Sequence, residues 1–289
     1  MSFKDIYSGW QADPEAFWMK AAEAIDWVSP PSKALWDDDA PMYEWFKDAQ
    51  VNTCYNAVDR HVEAGNGDRV AIIYDSPVTG HKSKTTYANL QTQVASLAGG
   101  LASKGIVSGD RVIIYMPMIP EALVAMLACT RIGAIHSVVF GGFAANELAV
   151  RIDDATPKAI IAGSCGIEPS RIIEYKPLLD GAIELAQHKP EFTVIFQRTE
   201  CEVQLGNIDV EWHALQAGVT PAPCIPVSGD HPAYILYTSG TTGAPKGVVR
   251  PTAGPLVALN WTMNNTYNVN PGDVFCAASD VGWVVGPAY

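Results

Sequence analysis

From Arg69 onward the apolar positions alternate between short unbroken runs and longer stretches in which they recur every three or four residues. RVAIIYD reads as a strand, and YANLQTQVASLAGGLASKG as a helix with the hydroxyls of Thr85 and Thr86 in front and Gly105 behind. GDRVIIYMP is the next strand, followed by the helix EALVAMLACTRIG, which Pro120 opens because proline suits a first helical turn. The rhythm continues through IHSVVF as strand, ANELAVRIDDA as helix, KAIIAG as strand, a helix from about residue 174 to residue 187, and FTVIFQR as strand. Strands rich in Val and Ile without polar alternation, separated by helices, predict an α/β fold in which parallel sheets are flanked by helices. Residues 199–230, with Pro221, Pro223 and Pro226, predict an irregular connector leading to the strand AYILYT.

Residues 1–62 follow a different pattern, in which aromatic residues alternate with short helical stretches and Pro30 and Pro31 break the chain. The acidic run Asp37, Asp38, Asp39 reads as a solvated turn. A floppy leader would leave Trp10, Trp18, Trp27, Trp36 and Trp45 in water, so the expectation is an aromatic-anchored cap laid on a larger body, residues 63–289.

Composition narrows the function classes. A length of 289 residues with 48% hydrophobic and 17% charged residues suits a globular chain of about two domains and gives little support to a disordered or coiled-coil protein. The formal net charge of -12 argues against nucleic acid or an anionic membrane as a partner. Cys54, Cys129, Cys165, Cys201, Cys224 and Cys276 never approach CxxC spacing, which predicts reduced thiols in a cytosol-like compartment. His61, His81, His136, His188, His213 and His231 show no ligand spacing either, and no protein-bound metal is expected. MSFKDIYSGW has no signal-peptide pattern, and no apolar run reaches the ~18 residues of a membrane helix. A cytoplasmic location is expected, with the mitochondrial matrix the alternative for a eukaryotic source.

The chemistry concentrates in YTSGTTGAPKG, residues 237–247, where AYILYT ends. Ligands of open α/β sheets bind beyond the carboxyl ends of strands. Gly240, Gly243 and Gly247 allow close approach of backbone N–H groups, and Thr238, Ser239, Thr241, Thr242 and Lys246 add hydroxyls and a positive charge. Such a loop suits a polyphosphate. The GxxxxGK[ST] spacing of P-loop NTPases is not met, because Gly240 is followed by TTGAP and the lysine comes after a proline. A plain Ser/Thr/Gly linker does not explain the strand before it or the Pro245, Lys246, Gly247, VVR sequence after it.

This loop resembles the signature phosphate loop of the adenylate-forming superfamily. The N-terminal aromatic segment with NAVDRH, the stretch YMPMIPEALVAMLACTRIGAIHSVVFGGF, and ASDVGWVVG are similar to the short-chain acyl-CoA synthetases, acetyl-CoA and propionyl-CoA synthetase, over essentially the whole chain. GVVRPT and GWVVG lean toward the propionyl branch. The resemblance implies the N-terminal part of a large adenylation domain, incomplete at the C-terminus. It also implies a ligase that joins a carboxylate to ATP with Mg2+ and passes the acyl group to coenzyme A. Carried over by motif, Thr238, Ser239, Gly240, Thr241, Thr242, Gly243 and the catalytic Lys246 hold ATP phosphates, Trp283, Val284 and Val285 wall the acyl pocket, and Phe140, Gly142 and Arg171 contact coenzyme A. Without the family, Trp283 reads as core and Arg171 as a surface helix charge.

The chain departs from the family pattern at Glu168, where an arginine is usual, and at Ala253, Pro255, Pro287 and Ala288. The ribose-binding aspartate and C-terminal catalytic lysine of the family are not in this sequence, so the 289 residues are expected to be a fragment with little activity alone. A different branch of the superfamily and a truncated, non-catalytic nucleotide- and coenzyme A-binding module are the alternative readings.

Overall fold

The computed structural model describes residues 2–238 and 245–283. Its centre is a seven-stranded sheet whose strands, numbered in chain order, are β1 (Arg111–Met116), β2 (Ile135–Phe140), β3 (Ala159–Gly163), β4 (Phe192–Phe196), β5 (Asp209–Glu211), β6 (Pro232–Thr238) and β7 (Lys246–Pro251). Their spatial order is β5-β4-β3-β1-β2-β6-β7. Every neighbouring pair is parallel except β6 and β7, which form an antiparallel hairpin.

The helices are α1 (Phe3–Ala12), α2 (Pro14–Ala22), α3 (Tyr87–Ser103), α4 (Pro120–Arg131), α5 (Ala145–Ala155), α6 (Tyr175–Leu185), α7 (Trp212–Gln216) and α8 (Ala253–Asn265). Successive residues of a strand point to opposite faces. Accordingly Val112, Ile114 and Met116 of β1 join the core formed with α3, α4 and α7. Ile113 and Tyr115 join the core beneath α5 and α6. With both faces covered, neither side of the strand tolerates a polar residue, which is why β1 reads as a continuous apolar run. Each fully buried isoleucine of β1 and β3 contributes about 1.5–3 kcal/mol relative to exposure.

Local signals set the helix ends. The Thr86 side chain accepts from the Asn89 N–H to start α3, and Pro120 opens α4. At the N-terminus, Ser2 and Asp5 cap α1 reciprocally and Asp13 caps α2. A third core collects Ile25, Ala34, Phe46, Ala49 and Val51 against Ala253 and Val257 of α8. Trp18 packs edge-on to Trp45 and Trp261 with ring centroids 5.8 and 6.0 Å away, whereas Trp10 is 38% exposed and stands outside that cluster.

The structure departs from the sequence expectation in four places. The strand Val70–Asp75 does not enter the main sheet but pairs antiparallel with Lys82–Thr86. The stretch expected to be an irregular connector contains β5, which extends the sheet edge, and α7. The sheet is not wholly parallel, because the chain doubles back through β7, whose Val248 and Val249 are exposed. Arg171 lies on a hairpin formed by Cys165–Glu168 and Arg171–Glu174, not on a helix.

His136, in β2, is buried against the Tyr234 ring at 5.5 Å, and neither ring nitrogen has a hydrogen-bond partner among the described residues. Burial lowers it from 6.5 to about 4, so the folded protein keeps it neutral. Between those values the unfolded chain binds a proton that the native state refuses. The associated stability is complete above the unfolded pKa and is lost as pH falls through the window, by about 2 kcal/mol at about pH 5 and ~3 kcal/mol in full. His136→Phe should flatten that part of the profile in urea unfolding at about pH 7.5 and about pH 5, with half-buried His61 leaving a residual slope of the same sign. An unchanged slope in the variant would show that His136 protonates in the native state.

Candidate functional site

Because β7 runs antiparallel to β6, the lysine that opens it returns to the same sheet edge at which β6 ends. Thr238 and Lys246 are direct register partners at the mouth of this hairpin, and both are exposed. Ser239, Gly240, Thr241, Thr242 and Gly243 lie outside the described residues. Gly247 keeps the stem closed, since a Cβ there would stand 3.1 Å from Ile235 Cγ2 and 3.3 Å from the Tyr237 ring.

The stem is fastened to α5. The Tyr237 hydroxyl donates to Asp154 Oδ2 at 2.6 Å, and its ring lies 5.5 Å from the Arg151 guanidinium. Burial first, and then the Asp154 carboxylate, raise the Tyr237 hydroxyl, so it remains a protonated donor. Arg151 also sits 4.9 Å over the Phe143 ring and donates to Glu147 Oε2 at 3.1 Å. It thereby joins FGGF to the stem of the glycine loop. Sequence reasoning missed this residue, because Arg151 in ANELAVRIDDA has no feature that separates it from an ordinary helix charge.

Phe140 ends β2 at the same edge, and Gly142 takes φ +92°, a backbone conformation that favours glycine. At Gly141 and Gly166 a Cβ would collide with the Tyr175 hydroxyl. Tyr175 opens α6 and packs 4.9 Å from the Tyr115 ring, whose hydroxyl donates to the Phe143 carbonyl at 2.8 Å. Burial raises Tyr115 to about 12 and Tyr175 upward as well, so these tyrosines serve as fixed, neutral supports for the turn.

The hairpin carrying Arg171 packs beside this turn through Ile173, which comes within 3.9 Å of where a Gly142 Cβ would be. Arg171 shares a strand face with Ile173. It is the register partner of Glu168 and donates to its Oε2 from Nε at 2.8 Å. The structure thus pairs Arg171 with the one residue that departs from the family pattern on this hairpin.

Residues 280–283 cross the carboxyl ends of β1 and β2. The Val281 N–H faces Met118 Sδ at 3.1 Å, and Gly282 lies so close to Phe140 that a Cβ would be 2.8 Å from its backbone nitrogen. Trp283 is 53% exposed, 6.3 Å from the Phe140 ring, so the residue expected in the acyl pocket adjoins those expected at coenzyme A. Val284, Val285, Pro287 and Ala288 lie outside the described residues. Asp280, the first residue of the segment, has its carboxyl raised by burial, opposed by the hydrogen bond its Oδ1 accepts from the Gly282 N–H at 2.7 Å. Ala253 is buried in the N-terminal core, and Pro255 borders a cavity of about 350 Å³ with Tyr234 and His136. Those two departures sit on the first turn of α8.

A glycine-loop stem, a glycine turn and an apolar segment therefore meet at the carboxyl edge of β1, β2 and β6. The family model described as AMP-binding enzyme matches residues 58–288, and the chain belongs to that family. A second model, acetyl-coenzyme A synthetase N-terminus, matches residues 3–57. Among relatives, the mitochondrial acyl-CoA synthetase short-chain family member 3 of Rattus norvegicus is 52% identical over 99% of this chain and 42% of its own length. The propionate–CoA ligase of Escherichia coli (strain K12) is 42% identical over 100% of this chain and 46% of its own length. The solved acetoacetyl-CoA synthetase from Streptomyces lividans superimposes with a TM-score of 0.87 at 25% identity, over 96% of this chain and 43% of that one. The chain spans less than half the length of these relatives.

The glycine turn depends on one side chain. Gly141→Ala should destabilise the protein by about 1–3 kcal/mol in denaturant unfolding, because Tyr175 and the Met116 carbonyl leave no room for a methyl group. Adding Tyr175→Phe should recover part of that loss, and strictly additive single and double variants would show that the Tyr175 hydroxyl is not the obstacle.

Proposed function

We propose that this chain is the N-terminal portion of an AMP-forming acyl-CoA ligase that activates a short-chain carboxylate, propionate or acetate, and transfers the acyl group to coenzyme A. The observation that carries the reading is the Thr238–Lys246 register pair, which holds an exposed lysine at the stem of a Gly/Ser/Thr loop beside FGGF. The names of the relatives and the N-terminal match to acetyl-coenzyme A synthetase support it. In this reading residues 1–62 form the cap and residues 63–289 an incomplete adenylation domain.

Carboxylate attack on a triphosphate brings like charges together. Lys246, Thr238 and the loop from Ser239 to Gly243 would hold the pyrophosphate end of ATP and stabilise charge that builds on it, with Mg2+ entering as part of the nucleotide complex. Trp283, Val284 and Val285 would bound a small apolar pocket. One methylene is worth only about 1–3 kcal/mol there, so both short acids are expected to react. Phe140 and Gly142 would meet the nucleotide portion of coenzyme A, and Arg171 one of its phosphates. No helix among the described residues is long and apolar enough to cross a membrane, and the mitochondrial naming of the rat relative favours the matrix if the source is eukaryotic.

The alternative is a binding module without catalysis, which the 42% coverage of the rat relative keeps in view. The 289 residues alone are expected to bind ATP saturably in calorimetry without supporting exchange of pyrophosphate into ATP. In the complete protein, propionate and acetate should each support that exchange, and Lys246→Ala should lower it on the order of 10²-fold. Wild-type exchange in the variant would remove Lys246 from the phosphate role. Saturable binding with no exchange by the complete protein would favour the module.

A further inference from the structure

Away from that edge, Cys54, Asp59 and Cys224 place their sulfur and carboxylate atoms within 4.8 Å of one another. Cys54 precedes the π-helical turn Tyr55–Asp59, and Cys224 lies on the connector ahead of β6. Both sulfurs face Asp59 Oδ2, at 3.9 Å from Cys54 and 3.5 Å from Cys224. The carboxylate is already engaged: Arg131 donates to both of its oxygens, at 2.7 and 3.0 Å, and Gln91 Nε2 donates to Oδ1 at 2.8 Å. A metal ion here would have to displace a buried guanidinium, which makes the cluster a poor cage. The two sulfurs remain as a close pair of free thiols.

We propose that Cys54 and Cys224 are an oxidation site that closes to a reversible intrachain disulfide, fastening the N-terminal region to the connector that feeds the phosphate-loop strand. A disulfide needs an S–S distance of about 2.05 Å and Cβ atoms roughly 3.5–4.5 Å apart. The two sulfurs already stand within 4.8 Å of one another, so they must approach by at most about 2.8 Å to reach that bond length. The connector is already held in place on either side of Cys224, where the Ala222 carbonyl accepts from Arg131 Nε at 2.6 Å and the Ile225 carbonyl from Asn52 Nδ2 at 2.8 Å.

The oxidant required is a hydroperoxide. Half-buried Cys224 is the sulfur it reaches first, because Cys54 is fully buried. The Cys224 sulfur attacks the peroxide oxygen, the O–O bond breaks, and the products are a sulfenic acid and an alcohol, or water when the oxidant is hydrogen peroxide. The Cys54 sulfur then attacks the Cys224 sulfur, the S–S bond forms, the S–O bond breaks, and the departing hydroxide leaves as water with the Cys54 proton. Two thiols lose two electrons and two protons in all. The neighbouring Cys54 sulfur and burial raise the Cys224 thiol, so the pair closes under sustained oxidant and is not a rapid peroxide sensor.

The test uses the chain with Cys276→Ala, which removes the exposed thiol. After hydrogen peroxide treatment, denaturation and alkylation, intact mass should show two thiols protected in a monomer, and peptide mapping should show a Cys54–Cys224 link that dithiothreitol removes. Cys224→Ser should abolish the protection, as should Cys54→Ser, and the half-buried position serves if the buried substitution prevents folding. Protection that persists in Cys224→Ser would overturn the proposal, as would oxidation to sulfinic acid without a link. Retention of one zinc per chain with both thiols protected before any oxidant is added would replace it with a metal site.

Discussion

The arrangement of the whole molecule turns on the ion pair between Asp59 and Arg131, each with a side chain 7% exposed. Burial alone would raise the carboxyl and lower the guanidinium, but their mutual hydrogen bonds reverse both, and Asp59 stays below its ordinary value. Arg131 is the last residue of α4. Asn52 Nδ2 donates to its carbonyl at 3.1 Å, and the Ile225 N–H donates there at 2.8 Å. The C-terminal end of the helix that joins β1 to β2 is thus closed by the N-terminal region on one side and by the connector to β6 on the other. Removing one partner of such a pair costs about 3–5 kcal/mol, whereas replacing both with matched apolar groups is often neutral. Its contribution is therefore one of specifying position, and what it positions are the strands that carry the site.

From that frame the site follows by sheet topology. β2 lies between β1 and β6, so the turn after β2 and the loop after β6 emerge side by side. Their exact separation is then set by the side chains packed between and around them. Tyr175 leaves room only for glycine at Gly141 and Gly166, and Arg151 spans Phe143 and Tyr237. A cation between two aromatic faces is worth about 0.5–2 kcal/mol, enough to hold a stem in register.

The sequence made legible what depends on neighbours in the chain. The Val and Ile runs of β1 to β4, the Thr86 cap and Pro120 placed strands and helices to within a residue or two, and the Gly/Ser/Thr composition of residues 237–247 marked the loop. What stayed hidden depends on distant partners. β5 is short and polar enough to read as connector, and it is a strand only because β4 offers an open edge. β7 follows the loop so closely that VVR reads as its flank, yet hairpin pairing makes it a strand. Asp59 and Arg131 are 72 residues apart, and nothing local in either segment announces the other. The Arg171 hairpin was missed because its apolar alternation spans only four residues per strand, too few to separate from a helix start.

Charge gives the proposed reaction a local problem. The chain carries a formal net charge of -12, and ATP and coenzyme A are polyanions, so the overall field opposes their approach. At physiological ionic strength that field fades beyond about 8 Å, and binding is decided by groups within contact distance. The cations near the site are not equivalent. Arg151 is engaged with Glu147 and two aromatic rings, and Arg171 is paired with Glu168. Lys246 is exposed and forms no ion pair among the described residues. A polyphosphate at the loop stem would therefore gain a whole positive charge without breaking a salt bridge. A phosphate at the 165–174 hairpin would first have to take Arg171 from Glu168, a weak competitor because both groups are exposed and screened by solvent. Glu168 itself would still stand beside the incoming anion, so of the two proposed anion sites the hairpin would be the weaker.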